Sequence, residues 1–210
     1  MENNILLKYI TLKPTNACNL NCDYCFAKNK NNDIFTRYDD LLTFLKHVPL
    51  AKKVNTNLSG GEPTLVIDNI YKIYTVIKKL NRELNTEFTF GIFTNGTHLD
   101  KVLELLNNDI LDPVNSNISW DGIDYKNVRI NNTNIDINKQ LKILGNSKYG
   151  NEILVRTAIS KQNISNLYKS VLYLVSIGCT KWEYYYLMDN SDYINKEFLE
   201  EFKKQLILIS

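Results

Sequence analysis

The 210-residue chain lacks most of what would tie a protein to a membrane or a charged polymer. No apolar run approaches the ~18 residues needed to span a bilayer. The opening MENNILLKYI holds too short an apolar stretch for a signal peptide. A soluble, cytoplasmic protein without membrane association is therefore expected. An excess of one charge is missing as well: 25 Lys and Arg stand against 23 Asp and Glu, for a net +2. With no long basic run, nucleic acid is not an expected partner, and the lysines read as solvated helix faces. Arginine is scarce, at Arg37, Arg82, Arg129 and Arg156 only. Where Lys fills nearly every other cationic position, those four merit tracking. No internal repeat, low-complexity linker or second domain is visible, so residues 1–210 are expected to form one domain. The 44% of hydrophobic residues suffices for a sizeable core.

Cysteine is scarce too, but unevenly placed. Of the four, Cys18, Cys22 and Cys25 lie within eight residues. A disulfide framework belongs to secreted chains, so such crowding reads as a metal site.

Hydrophobic periodicity alternates between two patterns. Strand-like runs fall at Leu6–Leu12, Val54–Leu58, Phe88–Thr94, Val114–Trp120, Ile153–Ile159 and Trp182–Leu187. Helical stripes follow each: Leu41/Phe44/Leu45/Val48, Val66/Ile70/Ile73/Ile77/Leu80, Leu99/Val102/Leu103/Leu106, Ile137/Leu141/Leu144 with Gly145 as a stop, Ile164/Leu167/Val171/Leu174 behind Asn163 as a cap, and Phe198/Phe202/Leu206/Ile209. Six strand–helix repeats predict an α/β fold with parallel strands and right-handed crossovers, a partial (β/α)6 TIM-like barrel. In such folds chemistry gathers at the carboxyl ends of the strands.

The segments just past those ends carry candidate chemistry. The first strand leads into Cys18-Asn-Leu-Asn-Cys22-Asp-Tyr-Cys25-Phe26. Three thiolates without a fourth suit a [4Fe-4S] cluster with one iron open to a small molecule. Taken alone they leave zinc open, with Cys179, His47 or His98 as a fourth ligand; Cys179 otherwise reads as a small buried apolar residue. After the second strand, Gly60-Gly61 permits close backbone approach, Glu62 offers a carboxylate to an ammonium group, and Pro63 opens a helix. Thr94-Asn95 follows the third strand, and Ser119-Trp120-Asp121-Gly122 ends the fourth. Arg129 and Arg156 compete as bidentate carboxylate binders, Arg156 having an ion pair with Glu183 as its plainer use. The sixth strand, Trp182-Glu183-Tyr184-Tyr185-Tyr186, is strongly aromatic, and either alternate set can face the interior.

The Cys-x3-Cys-x2-Cys loop resembles the signature of the radical S-adenosylmethionine (SAM) superfamily, and three further segments match in family order over nearly the whole chain. Gly60-Gly61-Glu62-Pro63 is similar to the motif that binds the SAM amino group. Thr94-Asn95 resembles a segment that reaches SAM or substrate. Ser119-Trp120-Asp121-Gly122 resembles that of radical SAM peptide and protein modifiers, in which the Ser contacts SAM and a later Arg contacts its carboxylate. Arg129, ten residues after Ser119, is the match, over a shortened connection. Ala158 on the fifth strand and Phe26 resemble the adenine surroundings. The resemblance implies a [4Fe-4S] cluster held by Cys18, Cys22 and Cys25, SAM chelating the open iron, and reductive cleavage to a 5′-deoxyadenosyl radical that takes a hydrogen atom from substrate. It also implies a flavodoxin- or ferredoxin-like electron donor. A peptide or protein side chain is the expected substrate, with a small molecule or nucleotide, or a glycyl-radical enzyme, as alternatives. A zinc-stabilised binding module is the non-enzymatic alternative. No cysteine-rich segment follows the sixth strand, so the family's core is expected to stand alone or in shortened form.

Overall fold

The computed structural model describes residues 5–25, 37–124, 126, 129–131, 134–186 and 195–209. They divide into two compact units: the described residues among 1–18, 27–94 and 100–116 form the first, and those among 19–26, 95–99 and 117–210 the second.

The first unit is built on three parallel strands, β1 (Leu7–Thr15), β3 (Leu50–Gly60) and β4 (Glu87–Thr94), with β3 pairing both others. Their alternation works as the sequence suggests. Val54, Leu58, Phe88, Phe90 and Ile92 are buried, and α2 (Ile67–Leu84) covers them with Ile70, Ile73, Ile77 and Leu80. Tyr74 of that helix meets Phe90 with ring centroids 5.4 Å apart. The helix stops at Asn85, whose φ of 50° supplies the left-handed cap. In α1 (Tyr38–His47), Leu41 and Leu45 are buried, whereas Phe44, expected on the same stripe, is exposed. The third helix, α3 (Leu99–Asn107), buries Val102, Leu105 and Leu106.

The second unit has its own parallel set, β5 (Asn117–Ser119), β7 (Leu154–Ile159) and β8 (Trp182–Tyr186), with β7 in the middle. The helices α4 (Ile137–Gly145), α5 (Leu167–Ser176) and α6 (Lys196–Ile209) complete it. Trp182 and Tyr184 pack against a cluster of Ile159, Ile164, Leu167, Phe198 and Phe202. They therefore turn toward the helices, leaving Glu183 and Tyr185 on the other face of β8.

Two expectations need correction. The fourth strand is Asn117–Ser119 alone, because Asp112 and Pro113 initiate a 3-10 turn over Pro113–Asn115 where Val114 read as strand. Asn163 does not cap the helix after β7 with its side chain; it binds the ends of β5 and β7 instead, as described below. An antiparallel ladder of three residues each, β2 (Leu20–Cys22) with β6 (Arg129–Asn131), also lay outside the sequence reading. The end of the expected sixth strand, Leu187, and Phe26 lie outside the described residues.

Each of the six parallel strands is followed by a helix, which gives the α/β class and the six repeats expected. The fourth cysteine, Cys179, is buried before β8 as a small apolar residue.

Candidate active site

In the first unit the turn after β3 is docked onto the backbone that leads into the cysteines. Gly61 N–H donates to Thr15 O at 2.9 Å and Glu62 N–H to Ala17 O at 2.7 Å. A Cβ on Gly61 would stand 2.0 Å from Ala17 O, so only glycine fits that approach. Gly60, with φ of +126°, turns the chain out of the strand. Glu62 is fully buried, and its Oε1 accepts from Thr64 N at 3.1 Å, Thr64 Oγ1 at 2.6 Å and Thr94 Oγ1 at 2.8 Å. Pro63 opens a 3-10 turn (Pro63–Val66) that runs into α2. The carboxylate is thus fixed before any ligand arrives, in a place suited to an ammonium group. Thr94 is committed to holding it.

Cys18 is half-buried just past β1, and Thr15 braces its approach by accepting from Ala17 N at 3.0 Å. Cys22 and Cys25 belong to the second unit and are also half-buried; none of the three is in a disulfide. A turn closes between the latter two through Cys25 N to Cys22 O at 3.1 Å. Among the described residues no group of three or more His, Cys, Asp and Glu is arranged to hold a single metal ion.

Asn95 binds the cysteine loop. Its Nδ2 donates to Asn19 Oδ1 at 2.8 Å, Asn19 Nδ2 donates to Thr97 Oγ1 at 2.9 Å, and Asn95 Oδ1 accepts from Thr97 N and Oγ1. Asn19 and Thr97 were not singled out from the sequence. Their signal is weak, since Asn and Thr in loops usually serve turns.

The densest network centres on Asp121, which is fully buried. Its Oδ2 accepts from Arg129 Nε at 2.7 Å and from the Tyr24 hydroxyl at 2.5 Å. Its Oδ1 accepts from Arg129 Nη2 at 3.2 Å and from Ala158 N at 3.0 Å. The third guanidinium nitrogen, Nη1, donates to Cys22 Sγ at 3.8 Å. Tyr24 stands with its ring 5.6 Å from the guanidinium carbon. Burial opposes the Arg129 charge; Asp121, then Tyr24 and Cys22, outweigh it and hold its pKa above the usual value. Burial likewise pushes the Tyr24 phenol up. Asn163 closes the arrangement, its Nδ2 donating to Asp121 O at 2.9 Å and Ala158 O at 2.7 Å.

Ser119 ends β5 half-buried, opposite Arg156 in register. Arg156 forms its ion pair with Glu183 on β8, the plainer of its two uses.

The donor set fits the two groups that the motifs imply. Three thiols on one short loop suit thiolate ligation of iron, and the buried Glu62 carboxylate suits an amino group. Residues 12–204 match the radical SAM superfamily, and the chain belongs to it. It is accordingly a SAM-dependent iron–sulfur enzyme whose superfamily uses a [4Fe-4S] cluster. The chain is 30% identical over 210 residues to an uncharacterized protein of Methanocaldococcus jannaschii, covering 90% of this chain and 70% of that one. It is 26% identical to an S-adenosylmethionine-dependent nucleotide dehydratase of Fibrobacter sp., covering 93% of this chain and 59% of the relative. In structure it resembles anSMEcpe with bound AdoMet, with a TM-score of 0.76 and 19% identity over 96% of this chain and 59% of that one. Streptococcus suis SuiB bound to S-adenosylmethionine matches with a TM-score of 0.64 and 16% identity over 97% of this chain and 47% of that one. These likenesses show the partial (β/α)6 barrel fold with parallel strands. The chain thus spans between about half and 70% of the length of these four proteins. No described helix is long and apolar enough to cross a membrane.

Proposed function

We propose that Cys18, Cys22 and Cys25 are the cluster ligands and that residues 1–210 act as one catalytic core domain. Glu62 receives the SAM amino group, Arg129 its carboxylate, and Gly60, Gly61, Pro63 and Ser119 shape the surrounding backbone. The observation that carries this reading is positional. The cysteine loop, Glu62, Asn95 and Ser119 each follow or end a parallel strand at its carboxyl end, β1, β3, β4 and β5 in turn.

When bound, the cluster and SAM supply reductive C–S cleavage and hydrogen-atom abstraction from substrate. The chain's own part is positioning. Thr64 and Thr94 hold the Glu62 carboxylate in place, so an ammonium group meets an already oriented acceptor. Asn95 and Thr97 fix Asn19, and with it the span between Cys18 and Cys22. Asp121 presents Arg129, and through Ala158 N and Asn163 it fastens the end of β7. Thr94, Asn95 and Asp121 then serve SAM by holding its neighbours. An electron donor of the flavodoxin or ferredoxin type completes the reading.

The substrate we infer is a peptide or protein side chain, on the resemblance of Ser119-Trp120-Asp121-Gly122 with Arg129 to peptide modifiers. A nucleotide is the second reading. It is favoured by the Fibrobacter relative and by a GTP 3′,8-cyclase of Staphylococcus haemolyticus, 34% identical over 138 residues that cover 61% of this chain and 38% of that one.

The test is anaerobic reconstitution with iron and sulfide, then dithionite and SAM. Formation of 5′-deoxyadenosine is expected, with about four irons per chain. A colourless chain holding one tight zinc overturns the reading. Acceleration of 5′-deoxyadenosine release by peptide pools, against nucleoside triphosphates, separates the two substrate classes.

A further inference from the structure

Within the second unit, Cys22 and Arg129 are direct partners in the short antiparallel ladder of β2 with β6, although 107 positions separate them in the chain. That register sets the guanidinium beside the sulfur. Two of its nitrogens are taken by the two oxygens of Asp121, at 2.7 and 3.2 Å, which is the bidentate geometry a planar guanidinium favours. The plane being fixed this way, the remaining nitrogen points at Cys22 Sγ, 3.8 Å away. Both members of the ion pair are nearly inaccessible, with side-chain exposures of 6% for Arg129 and 0% for Asp121. The same carboxylate takes the hydroxyl of Tyr24, from inside the cysteine loop, and the amide of Ala158, from β7. Asp121 therefore joins the ladder, the loop and the strand end at one point.

We propose that Asp121 positions Arg129 to hydrogen-bond the Cys22 sulfur, and that this contact raises the reduction potential of the cluster Cys22 ligates. The inference rests on the assignment of Cys22 as a ligand made above. One electron from an external reductant adds one negative charge to the cluster and its thiolates, with no bond made or broken and no proton moved. A buried N–H donor that is itself cationic stabilises that added charge more than the oxidised state. Hydrogen bonds to cluster sulfurs and nearby charge are the levers by which proteins move such potentials. Asp121 offsets part of the Arg129 charge at longer range, so direction as well as charge matters: the carboxylate aims the donor.

The test is EPR-monitored potentiometric titration of the reconstituted protein without SAM, so that loss of a SAM contact cannot contribute. Arg129→Lys keeps the charge opposite Asp121, but an ammonium cannot give two parallel bonds to the carboxylate and a third to the sulfur. Asp121→Glu keeps the carboxylate and displaces it by one methylene. Both variants are charge-conserving, and both are expected to shift the midpoint to more negative potential, Arg129→Lys by more. Iron content is measured alongside, and the variant that retains its full complement decides if the other does not fold. A full cluster with an unchanged midpoint in the variants overturns the inference and leaves the proposed function standing. A wild-type chain that takes up no cluster overturns the proposed function itself. A role for Asp121 in stability alone would lower the unfolding temperature and leave the midpoint where it was.

Discussion

Cys22 and Cys179 are the same side chain put to opposite uses in one unit. Cys22 is half-buried at the end of a three-residue strand, with a guanidinium nitrogen 3.8 Å from its sulfur. Cys179 is 1% exposed, and its thiol donates to the Leu141 carbonyl at 3.7 Å. Around it Gly145 and Gly178 bring backbones together too closely for any Cβ: one on Gly145 would stand 1.7 Å from Ile177 O. Burial alone pushes the Cys179 thiol up to about 11. A thiolate needs a cation, a metal or water to carry its charge. One cysteine has a cation beside it and the other has packing. Chemistry at sulfur in this chain is therefore decided by the neighbour rather than by the residue type.

The largest test of that contrast is substitution of each in turn. Cys22→Ala is expected to abolish both the EPR-active cluster and 5′-deoxyadenosine formation. Cys179→Ala is expected to retain both. Iron and sulfide analysis of the two reconstituted proteins checks it, and full cluster binding by Cys22→Ala contradicts the ligand assignment. Next in size is reactivity before the cluster is loaded. In the iron-free protein, Cys18, Cys22 and Cys25 should react with iodoacetamide directly. Cys179 should wait for local opening of its packed surroundings and label roughly 100-fold more slowly. Mass spectrometry of timed digests reads the four rates, and equal labelling of Cys179 removes the contrast.

That contrast was half legible in the sequence. The spacing of Cys18, Cys22 and Cys25 is local, and so are the turns after β3, β4 and β5; the motifs could be placed at strand ends because several of the strands before them, β3 and β4 most plainly, alternate with period two. Cys179 could be read as core from its place, away from the other cysteines, between Gly178 and the sixth strand. The cation beside Cys22 was not legible as such. Arg129 stood out by rarity and by its distance from Ser119, but its pairing with Cys22 depends on a ladder of three residues on each side, too short to show a period. Asn163 shows the same limit. As an Asn before an apolar stripe it read as a cap, yet its amide meets the backbone at Asp121 and Ala158, a demand set by tertiary structure. Asn95 and Asp121 were singled out as residues toward SAM, and the structure shows each at the centre of a hydrogen-bond network within the chain. Asn19, Thr97 and Tyr24 were not singled out, and the bonds of Asp121 to Arg129 and Ala158, both noted for other reasons, were not foreseen, because hydrogen bonds between loops leave no repeat to detect.

The smallest effect separates the two sulfurs by pH. In the unfolded chain the Cys179 thiol ionises near its ordinary 9.0, and in the folded chain at about 11. Between these values the unfolded form loses a proton that the folded form keeps, so ionisation favours unfolding there. The stabilising contribution of the buried neutral thiol is fully present below about pH 9 and is lost as pH rises through about 11. Over that window the wild type should lose roughly 2 kcal/mol that Cys179→Ala does not. The raised phenols of Tyr24 and Tyr185 add a loss of their own, equal in the two proteins and cancelled by the difference. Cys179→Ala itself should cost about 1 kcal/mol at neutral pH, for the sulfur removed from a packed site. Urea titrations of both iron-free proteins at several pH values from 8 upward measure the difference. Parallel curves would mean that Cys179 reaches water in the folded chain and that packing does not protect it.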